Sequence, residues 1–270
     1  MELEIYVVDA FTNQQFKGNS AAVVPLPESM GNEWLDVDLM QRIAAENNLS
    51  ETAFLKKISS NYYQIRWFSP LTEIDFCGHA TLASSFVLFH HLSCCGDIQF
   101  DTQKVGTLTV KSLADGRIEM SFPNQCPEMV SNVPQDLLDG LSIAPETVLV
   151  NRQAYFAVLP NVEDVLNVTY RSAFLKKLAP LDVVVTAASD DSEYDFVSRY
   201  FWPANGGDED PVTGSIHSGL TPYWANELNK TDLVAYQASQ RGGILYCQLS
   251  EGRVLVSGSA VLYLKGTILV

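Results

Sequence analysis

Two blocks of this 270-residue chain recur in the same order at almost one spacing, and a duplicated chain has few folds open to it. Residues 102–108 lead into Asp115-Gly116-Arg117, and residues 239–245 lead into Glu251-Gly252-Arg253. Gly106 and Gly243 lie 137 positions apart, Gly116 and Gly252 136 apart. Each copy reads as a strand, a turn carrying acidic-Gly-Arg, and a second strand. Upstream, Arg66-Trp67-Phe68-Ser69-Pro70 resembles Arg199-Tyr200-Phe201-Trp202-Pro203, an aromatic strand stopped by proline. An acidic loop and a small-residue turn follow in both, at Gly78-His79 and at Gly214-Ser215. Gly78 and Gly214 are again 136 apart.

Between the blocks the pattern is strand-rich. Tyr6 to Phe11, Ala21 to Val24, Glu51 to Leu55 and Tyr62 to Phe68 read as strands. Asp36 can cap a helix whose Leu39, Met40, Ile43 and Ala44 share a face. Residues Ala80 to Phe89 are apolar nearly all round, so as a helix they must be buried on every side. The expectation is an α+β chain of two similar halves, each a sheet wrapped around a central helix. The boundary is placed between Pro123 and Pro134: 1–124 form the first half, 125–260 the second, and 261–270 return to the first.

A formal net charge of −15 repels phosphate backbones, and the basic doublets Lys56-Lys57 and Lys176-Lys177 sit in no aromatic stripe. Nucleic acid is therefore not an expected partner, nor is a membrane, since the longest apolar run is too short to span one. Met1-Glu2-Leu3-Glu4 is acidic where a signal peptide is basic, which points to the cytoplasm. Five cysteines without C-x-x-C spacing suit reduced thiols. His90-His91 and Cys94-Cys95 lie too close together to ligate zinc tetrahedrally without strain, so no metal is expected. Dinucleotide, P-loop and nucleophile-elbow motifs do not occur, which favours a reaction without cofactor.

Halves related by duplication meet at a seam, the natural place for a cleft. If the Gly78 and Gly214 turns both begin helices facing it, their amides form a clamp for a carboxylate or enolate oxygen. Glu51 stands where a helix gives way to a strand, flanked by Leu49, Ala53 and Phe54. Desolvation disfavours the charged form of such a carboxyl and brings it toward the acid/base range. His79, at a helix start, is expected neutral and able to bond a substrate. Asp210, before Pro211, can orient an amine or hydroxyl, or simply serve a turn. Cys77 permits a thiol-based racemase reading, but the repeat pairs it with Thr213, which leaves that mechanism without a second thiol.

Five motifs in order carry a resemblance over essentially the full length: Asp9 to Thr12, Gly18 to Val23, Asn48 to Thr52, Cys77 to Thr81, and Asp210 to Ser215. They resemble the PhzF-like family, named for phenazine biosynthesis. The resemblance implies a diaminopimelate-epimerase-like fold of two pseudo-symmetric β-barrel-like domains, each around a central helix. It further implies an isomerase in which Glu51 shuttles a proton on a small, carboxylate-bearing substrate, a cyclic amino acid in the family's named reaction. His79 and Asp210 would contact substrate as catalytic partners; Gly78, Gly214 and Ser215 would clamp its oxygens; Asn19 and Ser50 would line the pocket. No cofactor is implied, and a homodimer is. Two alternatives remain: a Cys77-dependent racemase or epimerase, and a metabolite-binding or interaction module without turnover. Asn19-Ser20, where the family often has Asn-Pro, and the stretch Gln237 to Gly243 set the chain apart from the phenazine enzymes themselves.

Overall fold

A computed structural model describes every residue of the chain except Asn32. In chain order the strands and α-helices are β1 (Glu2–Ala10), β2 (Asn19–Pro25), α1 (Val37–Asn47), β3 (Glu51–Ser59), β4 (Tyr62–Phe68), β5 (Glu73–Ile74), α2 (Gly78–His91), β6 (Ile98–Asp101), β7 (Thr107–Ser112) and β8 (Ile118–Pro123). They continue with β9 (Glu128–Met129), α3 (Gln135–Gly140), β10 (Thr147–Val150), β11 (Ala154–Val158), α4 (Val162–Asn167), α5 (Ser172–Leu175), β12 (Asp182–Ala188) and β13 (Phe196–Phe201). The last are β14 (Glu209–Asp210), α6 (His217–Leu228), β15 (Asp232–Gln237), β16 (Gly243–Ser250), β17 (Arg253–Gly258) and β18 (Ala260–Leu269). The chain divides into two compact units, Met1–Ser121 with Ser257–Val270, and Phe122–Val256.

In the first unit β1 pairs antiparallel with β18 and with β2, β2 runs parallel to β3, β3 antiparallel to β4, β4 parallel to β6, and β6 antiparallel to β7. The second unit repeats the alternation. There β10 is antiparallel to β11, β11 parallel to β12, β12 antiparallel to β13, β13 parallel to β15, and β15 antiparallel to β16. The repeat first seen in short motifs therefore extends to the whole topology. Small details repeat too. Arg66 forks onto Glu73 at 2.6 and 2.7 Å and lies over Phe68, while Arg199 forks onto Glu209 at 2.7 and 2.9 Å and lies over Phe201.

Helix α2 packs on β1, β2, β3 and β18. Gly78 through Ser85, Val87 and Leu88 are all buried, as the all-round apolar pattern demands. Each fully buried leucine or valine there contributes on the order of 1.5–3 kcal/mol. The hydroxyls of Thr81, Ser84 and Ser85 bond the carbonyl four residues back at 2.6–2.8 Å, so they cost the core no unsatisfied donor. On the sheet's other face Met40, Ile43 and Ala44 of α1 close over Leu3, Ile5, Ala22, Val24 and Phe54. Both faces of β2 are thus covered, which explains its unbroken Ala-Ala-Val-Val run. Asp36 caps α1, accepting from the Asp38 and Leu39 amides.

Several boundaries differ from the sequence reading. Strand β1 starts at Glu2 and ends before Phe11, whose φ of +63° turns the chain. Helix α2 begins at Gly78, but its counterpart begins at His217 rather than Gly214. Residues 214–216 form a tighter lead-in, with His217 N–H and Ser218 N–H bonding back three residues to Gly214 and Ser215.

His217 is fully buried, donates Nδ1–H to the Thr213 carbonyl at 2.9 Å, and is pushed down to about 4 by that burial. The unfolded chain binds this proton near pH 6.5, the folded one only near 4, so stability present above 6.5 is lost as pH falls between them. The expected loss is about 1.4 kcal/mol per pH unit across that window. Urea titrations at pH 7 and 5 check it: His217→Asn should be weaker at pH 7 but show a shallower pH dependence.

Candidate active site

Glu51 is the first residue of β3, set opposite Ala21 of β2. The chain reaches it through Asn48, which ends α1 in the left-handed conformation and bonds back to Ala44. The half-buried Ser50 immediately precedes it. His79, on the first turn of α2, brings Nε2 to 2.9 Å from Glu51 Oε2; their side chains are 6% and 13% exposed. The other ring nitrogen, Nδ1, faces the Asn19 side-chain amide at 3.2 Å and Cys77 Sγ at 3.4 Å. An amide can present its NH2 to a neutral ring or its oxygen to an imidazolium, so Asn19 can serve either protonation state.

These contacts reverse the expectation for His79. Burial and the helix N-terminus work against an imidazolium, but the Glu51 carboxylate beside the ring more than offsets them and holds His79 well above the ordinary imidazole value. Both ring nitrogens are engaged inside the unit, so His79 holds Glu51 rather than reaching outward. Glu51 Oε2 is buried against the ring, close enough for an ion pair but outside hydrogen-bond geometry. A carboxylate held beside an imidazole in a largely buried setting is a group that can take and return a proton.

Cys77 caps α2 with extended backbone. Burial, then the charge of Glu51, push its thiol up to about 11, so it is protonated at neutral pH. Helix α2 still offers the first-turn amides of Gly78 and His79, while that of Ala80 meets the Cys77 sulfur.

In the second unit Asp210 accepts from the Thr213 hydroxyl, and the fully buried Gln237 ties this turn together. The Gln237 Nε2 donates to the Asp210 carbonyl at 3.0 Å, and its Oε1 accepts the Thr213 N–H at 2.8 Å. Thr213, the repeat counterpart of Cys77, is a hydroxyl spent on Asp210. The backbone N–H groups of Gly214, Ser215 and Ile216 donate to no described residue. Ser215 Oγ accepts from Gln153, which also reaches Tyr200. Gln153, Tyr200, Gln237 and the buried Asp182 were missed from sequence; only strand register could have found Asp182.

Glu51, Cys77 and His79 place a carboxylate oxygen, a sulfur and an imidazole nitrogen within 4.8 Å of one another, so these three could hold a metal ion. The His90-His91 and Cys94-Cys95 pairs form no such group among the described residues; Cys94 instead contacts the Tyr63 hydroxyl at 3.0 Å. All five cysteines are free. No described helix is long and apolar enough to cross a membrane.

The family profile described as "Phenazine biosynthesis-like protein" matches residues 8–266. An uncharacterized isomerase of Halalkalibacterium halodurans is 45% identical, over 100% of this chain and 99% of the relative. A phenazine biosynthesis protein of the PhzF family from Enterococcus faecalis, solved by crystallography, superposes with a TM-score of 0.92 at 42% identity, covering 100% of both chains. A hydroxyproline epimerase from Agrobacterium vitis shares the fold at 11% identity, with a TM-score of 0.61 over 99% of this chain and 92% of the other. The fold is α+β and of the epimerase-like kind that the repeat and the motifs implied.

Proposed function

Because the chain belongs to the phenazine biosynthesis-like family, whose relatives include named isomerases, we propose that it is a cofactor-independent isomerase moving a proton on a small carboxylate-bearing substrate. The observation that carries this reading is the largely buried Glu51–His79 contact at 2.9 Å. As a carboxylate, Glu51 takes a proton from a substrate carbon, and the C–H electron pair moves into an enolate conjugated with the substrate carboxylate. The resulting carboxylic acid then returns the proton to a different carbon, so atoms and charge balance without a redox partner. Amides at Gly78, Gly214 and Ser215 are assigned to the developing oxyanion, Asp210 to an amine or hydroxyl, and Ser50 and Asn19 to the pocket lining. His79 acts through Glu51 and is a positioning residue. A cyclic amino acid substrate, a homodimer and a cytoplasmic location belong to the same proposal.

The raised Cys77 thiol disfavours a thiolate racemase. Isomerisation of a panel of small carboxylates, followed in deuterated solvent, tests the reading. Cys77→Ala should keep turnover within about threefold of wild type, since it removes no proton-transferring group. Collapse in Cys77→Ala with retention in Glu51→Gln would transfer the chemistry to the thiol.

A further inference from the structure

The duplication assigns a counterpart to Glu51. Glu51 opens β3 opposite Ala21 of the parallel strand β2, and the next residue, Thr52, pairs with Phe68. Asp182 opens β12 opposite Ala154 of the parallel strand β11, and the next residue, Val183, pairs with Phe201. Asp182 therefore holds in the second unit the place of Glu51 in the first. The counterpart of His79 is Ser215, a far shorter side chain, and Asp182 is itself one methylene shorter than glutamate.

Two residues fill the gap. Tyr200 donates its hydroxyl to Asp182 Oδ2 at 2.7 Å, and Asn205 donates to Asp182 Oδ1 at 2.8 Å. Gln153 Nε2 lies 3.2 Å from the Tyr200 oxygen and 2.9 Å from Ser215 Oγ. The chain has a fixed direction. Because the Tyr200 hydrogen is committed to Asp182, the Tyr200 oxygen can only accept, which sets the Gln153 amide with its NH2 toward both Tyr200 and Ser215. Ser215 Oγ then accepts, and its own hydrogen has no acceptor among the described residues. Beside it stand the undonated amides of Gly214, Ser215 and Ile216. Tyr200 is 4% exposed and Asp182 9%, so water competes weakly for these bonds.

We infer that Gln153, Tyr200 and Asp182 are positioning residues that fix the Ser215 hydroxyl as a hydrogen-bond donor to an anionic oxygen, a carboxylate or enolate, of the substrate. This rests on the proposed role of Ser215 but is independent of proton transfer by Glu51. Burial holds both Asp182 and Tyr200 above their ordinary values, Tyr200 also through the charge of Asp182. The tyrosine thus keeps its hydrogen, and the direction of the chain is maintained.

Sodium benzoate titrated into the 15N-labelled full chain, followed at the Gly214, Ser215 and Ile216 amides, tests the inference. The wild type should show saturable shifts. Ser215→Ala and Gln153→Leu should each weaken binding by about tenfold, as expected for one hydrogen bond to a charged group. The double variant should be little weaker than either single one, because both remove the same donor. Tyr200→Phe keeps the ring and the fold, and should weaken binding by about threefold by freeing the amide to turn. Binding by Gln153→Leu within twofold of wild type, or no saturable shift in the wild type, would overturn the inference. Failure of the Glu51 reading would show separately, as turnover surviving in Glu51→Gln with this benzoate series intact.

Discussion

Glu51→Gln should reduce isomerisation by at least about 100-fold, and by as much as 10^4-fold, the range general acid–base groups contribute. Glutamine keeps the shape of the side chain and can still face His79 Nε2, but it cannot accept a proton from carbon. Folding should barely change, since glutamine keeps the shape and packing of the side chain beside His79. Loss of turnover with an unshifted melting temperature therefore separates chemistry from stability. A fall of less than about tenfold would mean that another group carries the proton.

Gly18→Ala should be among the most destabilising single-methyl changes in the first unit, at about 2–5 kcal/mol. Gly18 has φ +62°, and an added Cβ would sit 2.1 Å from the Ala10 carbonyl oxygen and 2.8 Å from Thr12 Cγ2. The obstacle is backbone, so it cannot rotate away. Relief must come from spreading β1 and β2 where Ala10 pairs with Asn19, in a connection also held by Asp9 through Ser20 and the Phe16 amide. That movement carries Asn19 from the His79 ring, so activity should fall even at temperatures where the variant is folded. Gly116→Ala supplies the contrast. Its φ is +85°, but nothing lies within 4 Å of its Cβ position, so only the conformational cost of about 1–2 kcal/mol remains. Denaturant melts of both variants check the pair; equal losses would show that the clash at Gly18 is relieved cheaply.

Where structure followed from local chemistry, the sequence was legible. Helix α2 could be read because residues apolar on all sides have one environment open to them, and Asp36 because a cap acts on amides two and three residues away. The duplication was visible in the acidic-Gly-Arg turns, whose sequence is dictated by backbone conformation. Glu51 was different: its role came from a resemblance, since a lone glutamate at a strand start has no pattern of its own. The charge of His79 was misread because it depends on Glu51, 28 positions earlier in the chain, and helix position alone points the other way. Asp182 escaped because its kinship with Glu51 lies in strand register. The two stand 131 positions apart rather than the 136 of the glycine turns, differ in residue type, and are flanked by loops of different length. The start of α6 at His217 was likewise hidden, since a glycine marks a turn without fixing where the helix after it begins.

The central claim is that Glu51 carries one proton from one substrate carbon to another. Mass spectrometry of product formed in deuterated solvent, on a carboxylate the wild type turns over, tests it most directly. At most one deuterium should enter each product molecule, at the carbon that gains the proton, and substrate recovered from Glu51→Gln should carry none. Deuterium incorporation that persists undiminished in Glu51→Gln would contradict the account.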